Sequence, residues 1–197
     1  MGTEKTQENK IGWKESVMLY LHDAVYLMIT VLLLFLVVFR IIIVSGGSMK
    51  MTLLDGDYLL LLNNVFYQEP ERGDVVVISK ESFDNGSPIV KRVIATEGQT
   101  VDIDFEEGIV YVDGIPQEEP YINTPTFQSW GTEFPLTVEE NCIFVLGDNR
   151  GISRDSRDPV IGQVDTREVL GKALFLFFPG TDLEQTERNY DRIGVIK

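Results

Sequence analysis

Residues 45–53 read Ser-Gly-Gly-Ser-Met-Lys-Met-Thr-Leu, and this stretch begins where a long apolar run ends. The two glycines let one backbone approach another closely, as a site that admits a peptide beside a serine hydroxyl requires. The same stretch also fits a flexible Gly/Ser exit from a membrane helix. The residues on either side of it decide between these interpretations.

The apolar run before this stretch predicts a membrane-spanning helix. Between Ala24 and Val44 the only charged residue is Arg40, and this length at helical rise is enough to cross the hydrocarbon layer. We expect residues 17–44 to span the membrane, and the polar residues 1–16 to form a disordered cytoplasmic tail. The run is too long for a cleavable signal peptide and lacks a short polar region with small residues at −3 and −1.

The charges around this helix predict its orientation. Three lysines precede the span, whereas only Arg40 and Lys50 lie close to its other end. Because positive residues concentrate on the cytoplasmic side, the amino terminus is predicted to lie inside and residues 45–197 outside the membrane.

The net charge of −14 belongs to the segment after Val44, because the residues before it carry equal numbers of acidic and basic side chains. Nucleic acids are bound by clustered Lys and Arg, so no nucleic-acid partner is expected. The single cysteine cannot form an intramolecular disulfide, and with one histidine it cannot assemble the usual Cys/His zinc site. We predict no metal or organic cofactor and interpret Cys142 as a small core residue.

The segment after Val44 is predicted to be mainly β. Short runs rich in Val, Ile, Leu and Phe alternate with turn residues, which is typical of a compact antiparallel β-barrel or pair of sheets. The long stretch 123–135 is interpreted as a surface excursion, and the polar end 181–197 as peripheral. The predicted strands are residues 57–62, 74–78, 89–96, 100–104, 109–112, 142–146, 163–165 and 172–178.

A lysine stands in the middle of the apolar strand predicted over 89–96. Strand alternation places Lys91 on the same face as Ile89 and Val93. A lysine that faces outward from an edge strand would fit this pattern. The functional interpretation is a buried lysine whose pKa is lowered by desolvation, so that its neutral amine accepts a proton from a serine hydroxyl, as in a serine/lysine dyad.

A third unusual stretch, residues 147–158, is a dense turn of Gly, Asp, Asn, Arg and Ser that follows a predicted strand. Most of its charges are expected to hold the turn together through Asp and Arg pairs. Its small hydroxyl Ser153 is expected to point back towards the lysine amine and orient it.

Together these stretches resemble the type I signal peptidases, membrane-bound serine proteases that remove signal peptides from exported preproteins. The resemblance runs from the membrane helix to about Gly180, and four ordered motifs behind one such helix form a specific signal. The short domain is similar to the compact Gram-positive form, which implies a single-pass protein of the bacterial cell membrane. The motifs are residues 45–54, 72–77, 90–94 with Glu97-Gly98, and 147–157.

The resemblance implies a role for each matched residue. Ser48 would be the nucleophile and Lys91 the general base, with Ser153 hydrogen-bonded to the lysine. Asp155 and Arg150 would form a structural ion pair beneath the site. We therefore predict that Ser48 Oγ and Lys91 Nζ lie within hydrogen-bonding reach of each other.

Further matched positions would bind the substrate and the oxyanion. The Ser48 N–H would be one oxyanion donor, and Gly46 stands where some members supply a serine hydroxyl as the second. The residues that match the shallow pockets for the small −1 and −3 side chains of the substrate are Val44, Met49, Leu53 and Val90.

Two positions depart from the pattern of the family. Met51 stands where the family usually has proline, so the loop after the nucleophile is expected to be looser or differently set. Residues 95–98, Ala-Thr-Glu-Gly, replace the usual Gly-x-Pro-Gly. Both a housekeeping enzyme and a paralogue dedicated to one substrate, such as a pilin, are compatible with these changes.

Two other classes of protein compete with this interpretation. A catalytically silent relative would bind the precursor of one surface protein and act as its assembly factor. A self-cleaving repressor-type peptidase shares the dyad, but it would need a basic DNA-binding domain, which the sequence does not indicate.

Overall fold

The computed structural model describes residues 12–181 and 187–197. The chain forms two compact units, Met1–Val37 and Val38–Lys197. Most of the predicted tail, residues 1–11, lies outside the described residues.

The first helix, α1 (Trp13–Val38), is long and apolar enough to cross a membrane. None of its residues is buried, and apolar side chains occupy every side of it, as lipid surroundings would favour. The helix differs from the predicted span 17–44 at both ends. It begins four residues earlier, and it ends before the apolar run does.

The end of the apolar run forms a strand, β1 (Phe39–Ile43). Its three consecutive isoleucines have stiff, branched side chains that favour extended backbone over helix. β1 pairs antiparallel with β2 (Tyr58–Asn63), from Phe39 opposite Leu62 to Ile43 opposite Tyr58. The sequence did not reveal β1 because a continuous apolar run fits a membrane helix and a strand equally well.

The unit Val38–Lys197 is mainly β and antiparallel, as predicted. Its larger sheet also contains β3 (Val75–Ile78), β4 (Ile89–Thr96), β9 (Cys142–Leu146), β10 (Val164–Asp165), β11 (Val169–Phe178) and β12 (Gly194–Val195). The strand order is β1-β2-β11-β3-β4-β9-β10, and β12 pairs with β11. Lys91 therefore lies on a central strand, with β3 on one side and β9 on the other.

A smaller sheet fills the chain between β4 and β9. It contains β5 (Thr100–Asp104), β6 (Ile109–Val112), β7 (Ile115–Pro116) and β8 (Leu136–Thr137), in the order β7-β6-β5-β8. Its buried valines and isoleucines pack against β4 and β9, and the half-buried Cys142 joins this cluster. Four predicted strands, 89–96, 100–104, 109–112 and 142–146, coincide with β4, β5, β6 and β9.

Residues 187–197 lie at the surface, as the interpretation of a peripheral end implies, since none of them is buried, but they are joined to the larger sheet. β12 pairs with β11 through Val195 opposite Phe175, and Ile196 packs against a buried apolar cluster that includes Met49 and Leu53. β12 is only two residues long, which is too short to show the alternation of apolar and polar residues that marks a strand. Its neighbours in the sequence are polar, so the sequence did not predict it.

Candidate active site

Ser48 lies in a tight turn that begins shortly after β1. The turn is closed by Lys50 N, which donates to Gly47 O at 3.1 Å, and by Leu53 N, which donates to Met49 O at 2.8 Å. The apolar side chains of Met49 and Leu53 are buried below it, at 1% and 0% exposure. Main-chain bonds and core packing therefore fix residues 48–54 from two sides; this turn carries the predicted nucleophile and is called the nucleophile turn below.

Lys91 reaches this turn from the central strand β4. Its Nζ donates to Ser48 Oγ at 2.9 Å and to Val90 O at 3.1 Å, so the predicted contact between serine and lysine is present. The side chain is buried, with 2% exposure. Burial on a central strand rules out the alternative of an outward-facing lysine on an edge.

Burial has a direct consequence for the charge of this lysine. Desolvation lowers the pKa of Lys91 from 10.5 to about 8. Asp155 and Asp148 oppose this effect because they favour the ammonium form, whereas Arg157 adds to it. A neutral amine is thus accessible near neutral pH, as a group that accepts a proton from a serine hydroxyl requires.

The turn after β9 holds the backbone at Ser48 and at the residue before it. Asn149 N donates to Ser48 O at 3.0 Å, and Asn149 Nδ2 donates to Gly47 O at 3.0 Å. A Cβ at Gly147 would overlap Ser153 Oγ and come within 2.6 Å of Ser48 O, so only glycine fits there. The sequence analysis predicted no role for Asn149, although its position in the motif 147–157 could have indicated one.

Ser153 does not make the expected hydrogen bond to Lys91. It is fully buried beside Gly147, but its Oγ donates to Arg154 O at 3.5 Å. The amine of Lys91 is directed towards Ser48 Oγ and Val90 O instead. Ser153 therefore packs against Gly147, and its contact with the lysine amine was predicted wrongly.

The expected ion pair between Asp155 and Arg150 is replaced by two other pairs. Asp155 pairs with Arg157 at 2.8 Å, and the close spacing of these two residues within one turn allows two parallel hydrogen bonds. Arg150 donates through Nε to Gly147 O, which directs its amino groups to Glu119 at 2.7 Å. Glu119 lies in the chain between β7 and β8, so no local pattern could identify it as the partner.

A second buried ion pair links the nucleophile turn to β4. Arg92, next to Lys91, pairs with Asp148 at 2.7 Å, and both side chains are almost fully buried. Thr52 Oγ1 donates to Asp148 Oδ2 at 2.5 Å, and the ring of Tyr121 covers the guanidinium at 4.0 Å. The sequence analysis missed this pair, although an arginine within an apolar strand was a visible signal for a buried carboxylate partner.

The four residues predicted to line substrate pockets lie together but are closed off. They belong to one buried apolar cluster, and their exposed fractions are at most 7%. Beside Ser48 there is instead an open cavity of about 640 Å³, a size typical of ligand sites. Its lining residues are Ser45, Gly46, Gly47, Lys50, Leu54, Asp55, Asn149, Ile152 and Thr181.

Comparison with known proteins identifies the family of this chain. The family model for signal peptidase, peptidase S26, matches residues 17–178. The chain belongs to the S26 family of signal peptidases. It is therefore a serine endopeptidase of that family, and its long apolar helix α1 fits the single-pass anchor of a membrane-bound signal peptidase.

Bacterial signal peptidases match nearly the whole chain. It is 32% identical to signal peptidase I of Bacillus licheniformis over 92% of this chain and 100% of the relative. It is 33% identical to signal peptidase I T of Bacillus subtilis, over 94% and 96%. A solved signal peptidase I structure from Enterococcus faecalis shares 31% identity, covering 53% of this chain and 96% of that one, with a TM-score of 0.43.

Met51 shows how this signal peptidase departs from its family. Its φ is +98°, whereas a proline ring holds φ near −65°. The turn after the nucleophile is therefore set differently from one that contains proline, as expected. The side chain points outward and is 65% exposed, so the departure concerns the backbone and not the core.

Replacing Met51 by the usual family residue is expected to harm the protein. Met51→Pro forces the backbone out of its positive φ, which should lower the free energy of unfolding by about 1–3 kcal/mol and reduce cleavage. Met51→Gly is the control, since glycine accepts this conformation without strain. Thermal unfolding and preprotein cleavage of both variants test the prediction, and a Met51→Pro protein as stable and active as wild type would contradict it.

Proposed function

We propose that this protein removes signal peptides from exported preproteins, with Ser48 as nucleophile and Lys91 as general base. The observation that carries the proposal is the 2.9 Å contact between Ser48 Oγ and the buried Lys91 Nζ. A hydroxyl needs an adjacent base to attack a peptide carbonyl, and a desolvated amine can serve as that base.

The first half of the reaction would form an acyl-enzyme. Neutral Lys91 accepts the proton of Ser48 Oγ as this oxygen attacks the scissile carbonyl. The resulting ammonium then gives its proton to the leaving amine, which frees the mature protein. In the second half, Lys91 takes a proton from a water molecule that attacks the ester and returns it to Ser48 Oγ as the signal peptide leaves.

The developing oxyanion needs donors on the opposite side from Lys91. The Ser48 N–H fits this role, because it donates to no acceptor within residues 12–181 and 187–197. Gly46 has no hydroxyl to offer, and its own N–H donates to Asp55 Oδ1 at 2.7 Å. A second donor would thus come from elsewhere, or the Ser48 N–H would act alone.

The substrate would bind as an extended peptide beside the chain that flanks Ser48 and Lys91. Main-chain hydrogen bonds set its register, and shallow apolar pockets accept the small residues at −1 and −3. Val44, Met49, Leu53 and Val90 form the buried apolar floor below the site.

The helix α1 would anchor the enzyme with its amino terminus in the cytoplasm and the β unit outside. The signal peptide of the substrate is itself an apolar segment in the same bilayer. Confinement of enzyme and substrate to one membrane raises their effective concentration, so pockets that bind the substrate weakly suffice for efficient cleavage.

The test is cleavage of a preprotein with alanine at −3 and −1 by the full chain in liposomes. Ser48→Ala should lower kcat/KM by at least about a thousandfold, because no hydroxyl remains at the attacking position. Ser82→Ala, whose hydroxyl bonds to Val160 O in another loop, is the matched control and should cleave normally. A wild-type protein that binds preproteins without cutting any would instead support the assembly-factor alternative, which the comparisons do not favour.

A further inference from the structure

The carboxyl-terminal segment 187–197 contacts the nucleophile turn through one guanidinium group. Arg192, at the end of the 3₁₀ helix Tyr190–Arg192, donates to both carboxylate oxygens of Asp57, at 2.9 and 2.6 Å. Its Nη2 also donates to Thr52 O at 3.3 Å. Since Thr52 is part of the nucleophile turn, Arg192 connects the end of the chain to the backbone that carries Ser48.

Asp57 is the centre of this connection. Its carboxylate is fully buried and also accepts hydrogen bonds from Leu54 N at 2.7 Å and Gly180 N at 2.6 Å. A buried carboxylate is costly unless it is paired with a cation and hydrogen-bonded. Arg192 supplies the cation. The carboxylate of Asp57 therefore joins three segments, which are the end of the nucleophile turn, the chain after β11 and the carboxyl-terminal segment.

The segment that carries Arg192 is itself held in place. β12 pairs with β11, and Ile196 packs against the cluster that contains Met49 and Leu53. The family match ends at residue 178, so this segment lies beyond the part of the chain that the family model describes.

We propose that Arg192 is a positioning residue, which holds the nucleophile turn so that Ser48 Oγ stays within reach of Lys91 Nζ. Arg192 does not touch the reacting atoms and acts through Asp57 and the carbonyl of Thr52. The proposal rests on the proposed function for its catalytic consequence, but the order of the turn is measurable without catalysis.

The first test compares two arginines of the same segment. Arg192→Gln removes the cation from Asp57 and should lower kcat about 10- to 100-fold with KM changed less than about twofold, because the serine is misplaced while the substrate site remains. Arg192→Lys keeps the charge without the two-pronged geometry and should recover part of kcat. Arg188→Gln is the control, since Arg188 donates to Pro179 O and covers the ring of Phe178 without touching the turn.

The second test is hydrogen exchange of the full chain in detergent. The amides of Thr52 and Leu53 both donate to Met49 O, and in Arg192→Gln they should exchange at least about tenfold faster. The amides of β9 should keep their wild-type rates, which separates a loosened turn from general instability. If Arg192→Gln does not fold, kcat and the exchange rates are measured on Arg192→Lys instead.

Three results would overturn the positioning role. These are an unchanged kcat in Arg192→Gln, faster exchange spread equally over the turn and β9, or a lowered kcat with wild-type exchange at Thr52 and Leu53. If wild type cleaves no preprotein, the proposed function fails, and the exchange rates alone then decide whether Arg192 orders the turn.

Discussion

A Lys91→Met variant is expected to lose peptidase activity and yet to unfold less readily at neutral pH. Methionine has a similar length but cannot accept the proton of Ser48, so kcat/KM should fall by about 10²- to 10⁴-fold. The fold should survive, because the replaced side chain is buried on the central strand β4 and the flexible side chain of methionine adapts to irregular buried space.

The gain in stability follows from the protonation of the lysine. Burial lowers the pKa of Lys91 from 10.5 to about 8, so the unfolded chain binds this proton more tightly than the folded protein does. Below pH 8 the full penalty is present, and stability rises with pH between about 8 and 10.5 as the unfolded chain also loses the proton. This difference in pKa corresponds to about 3 kcal/mol as an upper limit, which methionine would recover at pH 7.

Denaturant unfolding of both full-length proteins in one detergent, at pH 7 and at pH 10.5, checks this expectation. The advantage of Lys91→Met should shrink towards zero at the higher pH. Lys172→Met is the matched control on β11, because Lys172 is partly exposed and paired with Asp74, so its loss should bring no gain. A Lys91→Met protein less stable than wild type at pH 7 would show that the lysine contributes more through its contacts than its burial costs.

Gly147→Ala is expected to disrupt the active site severely although it adds a single methyl group. The new Cβ would overlap Ser153 Oγ and lie 2.6 Å from Ser48 O, where backbone and buried side chain leave no room. The turn after β9 would have to move away from the nucleophile and lose the bond from Asn149 N to Ser48 O. We expect kcat to fall at least about 100-fold and the free energy of unfolding to fall by about 1–3 kcal/mol.

Gly151→Ala provides the matched control four residues later in the same turn. The nearest atom to a Cβ there is Thr124 Oγ1 at 3.9 Å, an ordinary contact. Cleavage rates and thermal midpoints of the two variants give the answer. Equal activity of Gly147→Ala and Gly151→Ala would mean that the close approach of the turn after β9 to Ser48 is not required.

The contact between Ser48 and Lys91 could be predicted from the sequence because its signals are local. Lys91 in an apolar strand, Ser48 after two glycines, and the strands β4 and β9 each carry their own pattern over a few residues. Alternation and turn residues decide the bounds of such strands, and burial then follows from their central place in the sheet.

The parts that escaped prediction depend on contacts between distant residues. Arg150 pairs with Glu119, and Asp57 pairs with Arg192. No local sequence pattern indicates either pair. The predicted contacts of Ser153 and Asp155 were wrong for the same reason. Several charged residues lie close together in this turn, and only the folded turn determines which of them pair. β1 was hidden because its apolar residues continue those of the helix without a break.

The smaller sheet has a consequence for how this enzyme can change in evolution. Its chain leaves the larger sheet after Thr96 and returns at Cys142, and these ends lie side by side because Thr96 pairs with Ile143. An excursion with adjacent ends can lengthen or shorten without shifting the register of the strands that frame it. Relatives could thus acquire new lobes at this place, provided that they keep an acidic side chain where Glu119 meets Arg150.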